Sequence, residues 1–330
     1  MGYDGRIMRR AQARFEEDRR RREEEFRRKK EAVCIRQPRL REIDGELRST
    51  MSKIIASALR RGTDPRPAVA VLQDRNLSLQ EERTALLAEL GLPADFLEEK
   101  PACALCGDSG YRGEAVCRCL REYYAREQQQ ELSRMLDLGT QSFDTFSLDW
   151  YPEERSELGV SPRENMEYTR DVCVDYAYGF NGRNGNLLFT GAPGLGKTFL
   201  SACIARVVSE KGYSVVYDTA MQIFDRFEAQ KFGRDEDGTV ESDVERILNC
   251  DLLILDDLGT EMITAFVQSA LYQIINTRLM ARKSTIISTN LSIQELRRRY
   301  LQQVASRVEG EYMILPFMGK DIRRLKKERA

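Results

Sequence analysis

Not one histidine occurs among the 330 residues. That absence removes imidazole acid–base chemistry, Ser-His and Cys-His nucleophile pairs, and histidine metal ligands together. Chemistry must then run on carboxylates, lysine, arginine, a metal or phosphate positioning. No run of about 18 apolar residues occurs either, so no segment is expected to span a membrane. The opening stretch MGYDGRIMRRAQARFEEDRRRREEEF lacks the apolar core of a signal peptide, which makes the cytoplasm the expected location. Net charge is nearly absent: 52 Lys and Arg against 53 Asp and Glu leave −1. The whole molecule is therefore no electrostatic sink for nucleic acid, although local basic patches remain open to it.

What the chain does have is length for a full core plus a smaller unit, a charged share of 32%, and eight cysteines. In a non-secreted chain these thiols should be mostly reduced. Cys34, Cys173, Cys203 and Cys250 are scattered and read as small buried apolar residues. Residues 6–33 have the Glu/Arg composition of a solvated helix, with Phe15 and Phe26 among few apolar positions. From Arg39 to Leu97 apolar residues recur at three- and four-residue steps, with a turn at TDPRPA and a stop at Gly91 and Pro93. A further helical run, LREYYAREQQQELSRMLDL, is expected to end near Gly139. After a mixed connector (140–159) and one more helix, helices alternate with the short apolar runs NLLFTG, YSVVYDT, DLLILDD, STIISTN and YMILPF. Such alternation predicts a parallel, doubly wound α/β sheet.

The strongest local signal is GAPGLGKT, residues 191–198, which follows an apolar run and opens a helical pattern. Gly191, Gly194 and Gly196 let successive N–H groups face a phosphate chain at a helix N-terminus, with Ala192, Pro193, Leu195 and Phe199 completing the expected ATP cradle. Lys197 would reach the β- and γ-phosphates, and the Thr198 hydroxyl would ligate Mg²⁺. LLILDDLG then delivers Asp256 and Asp257 at a strand's C-terminal end, where such sheets bind ligands. Asp256 would hold Mg²⁺ through water and Asp257 would polarise the attacking water. Asn290, closing STIISTN, is either a γ-phosphate or water contact or a plain turn residue. Arg307 and Arg323 could stabilise charge on a transferring phosphoryl group, or be ordinary surface arginines.

In this order, GAPGLGKT, LLILDDLG, ISTN, ASRVEG and GKDIRR resemble the AAA+ ATPases over roughly residues 140–330. The wording LLILDDLGTE, INTRL and STIISTNLS resembles the helicase-loader branch, the DnaC/DnaI proteins and their IstB transposition relatives. The resemblance implies a three-layer α/β P-loop ATPase that self-associates through its AAA+ domain. It places an arginine finger on Arg307, sensor 1 on Asn290 and sensor 2 on Arg323, all in the catalytic set with Lys197 and Asp257. Aspartate rather than glutamate at 257 is one methylene short, and a base misplaced by about 1 Å can cost on the order of 100-fold. The expected enzyme is thus a slow, partner-stimulated ATPase that uses ATP as a switch. The resemblance also implies a helix contacting single-stranded DNA between YSVVYDT and DLLILDD. Phe224, Phe227, Lys231 and Phe232 are the candidates there, with an ordinary amphipathic helix as the alternative.

Ahead of this region lies CALCGDSGYRGEAVCRC, residues 103–119. Two cysteine pairs about ten residues apart can close a tetrahedral four-thiolate site through Cys103, Cys106, Cys117 and Cys119, with a glycine-rich hairpin between. A redox pair would need only one Cys-x-x-Cys and a helix opening after a strand. Structural Zn²⁺ is the expectation, and such a closed site would fold a small module without doing chemistry. By resemblance, DnaI-type loaders carry a zinc-bearing helicase-binding module, which IstB-type helpers lack. The expected domains are a charged arm at 1–38, a mainly helical zinc-binding, helicase-interaction domain at 39–135, a linker with lead-in helix at 136–185, and the ATPase at 186–330. The expected function is ATP-dependent loading of the replicative helicase onto single-stranded DNA. The alternative is a transposition helper that remodels target DNA for a transposase.

Overall fold

A computed structural model describes residues 3–58, 66–134, 136, 138, 140–155, 159–232 and 239–329, the side chains of 51–58, 66–69 and 239–242 excepted. The start of the TDPRPA turn and the expected helix end at Gly139 lie outside these residues. The chain opens with the helices α1 (Gly5–Arg36), α2 (Pro38–Ala58) and α3 (Arg66–Glu89). A two-stranded hairpin, β1 (Tyr111–Arg112) and β2 (Ala115–Val116), precedes α4 (Arg118–Leu132). Then come α5 (Pro162–Tyr178), β3 (Asn186–Thr190), α6 (Lys197–Glu210), β4 (Val215–Thr219), α7 (Ala220–Lys231) and α8 (Thr239–Asn249). The last part comprises β5 (Leu252–Leu258), α9 (Ala265–Met280), β6 (Ser284–Thr289), α10 (Ile293–Arg299), α11 (Gln302–Glu311), β7 (Tyr312–Pro316) and α12 (Ile322–Arg329). Two compact units result, one formed by 1–13 with 118–330, the other by 14–117.

In the larger unit the five apolar runs form one parallel sheet in the order β4-β5-β6-β3-β7. Alternation along each strand explains the layers. Leu187, Phe189, Val215, Tyr217, Leu252, Ile254 and Ile286 face one apolar cluster, which takes in Met166, Leu200 and Ile204 of α5 and α6. Leu188, Val216, Leu253, Leu255 and Ile287 face the other, with Ile223, Phe224 and Phe227 of α7, Ile247 of α8 and Leu271 and Ile274 of α9. Period-two strands buried on both faces need helices on both sides, and this gives three layers. The expected three-layer α/β architecture is therefore present. Local chemistry sets the helix starts: Ser161 and Glu164 form a reciprocal capping box before Pro162, and Ser292 with Glu295 does the same for α10. α4 ends at Leu132. Beyond it the chain turns, and burial of Leu136 and Leu138 in the first cluster outweighs continued helix.

At the base of the sheet Arg278 of α9 is wholly buried. Its guanidinium donates to the carbonyls of Ile247, Leu248, Cys250 and Ser284 and to the Thr285 hydroxyl. It thus satisfies the backbone where α8 passes into β5 and β6 begins. The smaller unit is built differently. Its apolar cluster is Val33, Cys34, Leu40, Leu87 and Leu97, flanked by Leu86, Leu92 and Phe96. Charged contacts surround it: Arg39 forks onto Glu82 and reaches Glu42 and Glu46, and Lys30 pairs with Asp44.

Candidate nucleotide site and cysteine cluster

The turn from β3 into α6 depends on glycine. Gly191, Gly194 and Gly196 have φ of 139°, 79° and 93°, in the left-handed region that costs other residues. At Gly194 a Cβ would also lie 2.0 Å from the Asp321 carboxylate, so the loop is held tightly against the segment leading into α12. The Lys197 ammonium donates to the carbonyls of Gly191 (2.6 Å) and Ala192 (2.9 Å). Burial lowers its pKa from the ordinary lysine value, against the pull of Asp257 and Asp256, while Arg323 adds to the lowering.

Two strands away in the sheet, β5 carries the acidic pair. In a regular strand Asp256 and Asp257 would point to opposite faces. Here Leu255 pairs with Ile287 and Leu258 with Thr289, so β5 spends one extra residue at this point. The bulge places Asp257 at φ 53° with an exposed side chain, while Asp256 stays buried. Asp256 Oδ2 accepts from Thr198 (3.1 Å) and from the Tyr217 hydroxyl (2.5 Å), and its Oδ1 accepts from Ser288. Partial desolvation and the neighbouring Asp256 charge raise the Asp257 pKa, with Lys197 and Arg323 opposing.

A cavity of 410 Å³ opens over this arrangement. Pro193 to Phe199, Asp257, Asn290 and Arg323 line it, so the structure brings together expected residues from four separate segments. Gly191, Ala192 and Asp256 do not line it; Asp256 is buried and Ala192 exposed. Arg323, not Arg324, borders the cavity; Arg324 faces outward beside Asp321. Arg307 is elsewhere, on α11, with its guanidinium 4.9 Å from the Tyr272 ring centroid. The cavity is also lined by residues of the expected connector, Gln141, Thr145, Phe146, Ser147 and Trp150, with Lys326 of α12. Lys326 and Arg329 lie over the Trp150 ring at 5.7 and 4.6 Å, and Phe146 packs on Phe199. Aromatic rings and a glycine-rich, lysine-bearing loop suit a nucleoside triphosphate. Thr198 and Asp256, already in contact, suit a hydrated divalent cation.

For the expected single-stranded DNA contacts the structure requires a correction. Phe224 and Phe227 are 3% and 4% exposed and belong to the apolar core beneath α7, leaving no ring face for a base. Their helical spacing marks the core face of an amphipathic helix. Lys231 and Phe232 remain outside that core, Phe232 at 59% exposure, next to Phe266.

The four sulfurs of Cys103, Cys106, Cys117 and Cys119 lie within 4.8 Å of one another, with Cys103 and Cys117 3.8 Å apart. A tetrahedron with Zn–S of about 2.3 Å has edges of about 3.8 Å, so the donor set fits zinc. The hairpin β1–β2 fills the gap, and Gly107, Asp108, Gly110 and Gly113 take positive φ in its turns. Asp108 closes the first knuckle by accepting from the N–H groups of Ala102 and Cys103. Cys34, Cys173, Cys203 and Cys250 are free thiols and buried.

A P-loop after β3, an acidic pair ending β5, and β6 inserted between these two strands define a P-loop ATP-binding type of α/β protein. Comparison with known proteins narrows the class. The family described as IstB-like ATP binding protein matches residues 170–306. Replicative helicase loader DnaI of Bacillus subtilis is 32% identical over 234 residues, covering 62% of this chain and 70% of its own length. Replicative helicase loader DnaC of Escherichia coli K12 is 28% identical over 134 residues, 40% of this chain and 54% of its own. The chain belongs to this IstB/DnaC/DnaI family. It spans little more than half the length of the DnaC relatives it matches. A crystal structure of the DnaC helicase loader aligns with 55% of this chain and 99% of its own at TM-score 0.45 and 22% identity. Among the described residues no helix is long and apolar enough to cross a membrane.

Proposed function

We propose that the protein is an ATP-switched loader that places a replicative hexameric helicase on single-stranded DNA. The observation that supports this most is the similarity to DnaI, which extends over 70% of that loader's length. In this reading ATP lies in the 410 Å³ cavity, its base toward Phe146 and Trp150 and its phosphates toward Lys197. Mg²⁺, when bound, neutralises charge on the phosphate oxygens. Thr198 and Asp256 hold that ion, Asp257 accepts the proton of the attacking water, and Asn290 orients that water. Arg323 reaches the γ-phosphate in the same protomer, and Arg307, outside the cavity, serves a neighbour's nucleotide in a self-assembled ring. Hydrolysis is slow because Asp257 is one methylene shorter than glutamate and so holds the base back from the attacking water. Zinc on the four cysteines keeps the helicase-binding module folded, and Lys231 and Phe232 contribute to a weak DNA contact.

The test is to mix the full-length protein with a replicative helicase and single-stranded DNA, then follow co-elution and ATP turnover. Co-elution with turnover stimulated by both partners is expected. Absence of turnover with both present overturns the loader mechanism. Binding to a transposase in place of the helicase would establish the transposition-helper reading instead.

A further inference from the structure

The nucleotide reading leaves two hydroxyls unexplained. Tyr217 sits on β4 and Ser288 on β6, the strands flanking β5, and both turn their oxygens onto Asp256. Tyr217 donates to Oδ2 and Ser288 to Oδ1, and the Ser288 oxygen also accepts the Asp257 N–H at 3.2 Å. An ionised carboxylate offers about four lone-pair positions. Three are taken here, two of them by donors fixed in the sheet and the third, at 3.1 Å, by Thr198. The Thr198 hydroxyl lines the cavity and can turn toward a ligand, whereas those of Tyr217 and Ser288 are buried against β5. We infer that Tyr217 and Ser288 are positioning residues that lock the rotamer of Asp256, leaving the Thr198-facing lone pair as the position presented to a divalent cation.

Burial strengthens the case. Asp256 and Ser288 are nearly inaccessible and Tyr217 belongs to the core cluster, so water cannot replace the lost donors without entering the sheet. Ser288 has a second consequence. By gripping the Asp257 N–H it fixes the bulge, and so the relative placement of the two acidic side chains. Outer donors of this kind typically govern metal affinity by about 10–100-fold.

The inference rests on the ATP and Mg²⁺ reading of the same cavity, and one experiment separates the two. Trp150 is the sole tryptophan and lines the cavity, so its emission reports occupancy in the full-length protein. Binding of a non-hydrolysable ATP analogue is titrated at rising Mg²⁺ and again in EDTA, for wild type, Tyr217→Phe and Ser288→Ala. Tyr217→Phe keeps the ring in the core, and a thermal melt checks that both variants fold; Ser288→Ala decides if the tyrosine variant does not. The expected result is a Mg²⁺ midpoint raised about 10-fold or more in the variants, with affinity in EDTA unchanged. Unchanged Mg²⁺ midpoints in folded variants overturn the positioning role while leaving the nucleotide site intact. Affinity lost equally with and without Mg²⁺ marks a merely structural role and also overturns it. A wild type showing no Mg²⁺-dependent binding overturns both readings.

Discussion

The two compact units reach order by opposite means. In the unit of 1–13 and 118–330, a sheet buried on both faces feeds two apolar clusters, and the buried Arg278 satisfies backbone carbonyls at the base of that sheet. In the unit of 14–117 one apolar cluster gathers Val33, Cys34, Leu40, Leu87 and Leu97, and among the described residues carboxylate–guanidinium contacts lie around it. Area removed from water stabilises the first without help, at roughly 25 cal/mol per Å². In the second, the exposed ion pairs add little to what its apolar burial contributes. Under the proposed function, zinc would act on folding around 103–119, and nucleotide would act on chemistry at the P-loop.

The largest expected effect tests that assignment directly. Chelating zinc, or the double change Cys103→Ser and Cys117→Ser, should abolish hydrogen-exchange protection across 103–119 while 186–290 keeps its protection. Structural zinc supplies on the order of 10 kcal/mol in small domains, so partial loss is not expected. Protection unchanged after chelation would mean that the small unit holds itself together.

Next in size is Lys197→Ala, which should cut ATP turnover by about 100-fold or more and leave the thermal midpoint close to wild type. A large fall in the midpoint would show that the lysine's contacts with Gly191 and Ala192 chiefly hold the loop. Arg278→Met comes third: stripping four carbonyls and a hydroxyl of a buried donor should cost about 3 kcal/mol in denaturant unfolding. A cost under about 1 kcal/mol would place the stability of the sheet in its apolar faces alone. The smallest effect belongs to Arg39→Ala. Arg39 and its three carboxylate partners are all open to solvent in part, so the midpoint should hardly move, and should move less at high salt. A large shift there would contradict the account of how the smaller unit is held.

Much of the candidate site could be read in one dimension because its signals are local. Glycine spacing, an acidic pair after an apolar run, and paired cysteines around a turn each fit within 20 residues. Tyr217, Ser288, Phe146 and Trp150 escaped for a physical reason. Their role exists only once β4 and β6 flank β5 and the connector folds over the P-loop, and neither event leaves a pattern in the residues themselves. Phe224 and Phe227 show the reverse problem. Aromatics beside a lysine suit base stacking and core packing equally well until burial decides. The bulge at Asp256–Asp257 was also invisible, since an extra residue in a strand has no marker when glycine is not used for it.

The backbone of Asp257 carries one more consequence. A left-handed conformation at a non-glycine residue costs on the order of 1 kcal/mol, and the charge beside Asp256 adds to it. Asparagine tolerates that conformation and brings no charge, so Asp257→Asn should melt above the wild type while losing turnover. The protein would then carry, at one residue, a standing exchange of durability for reactivity.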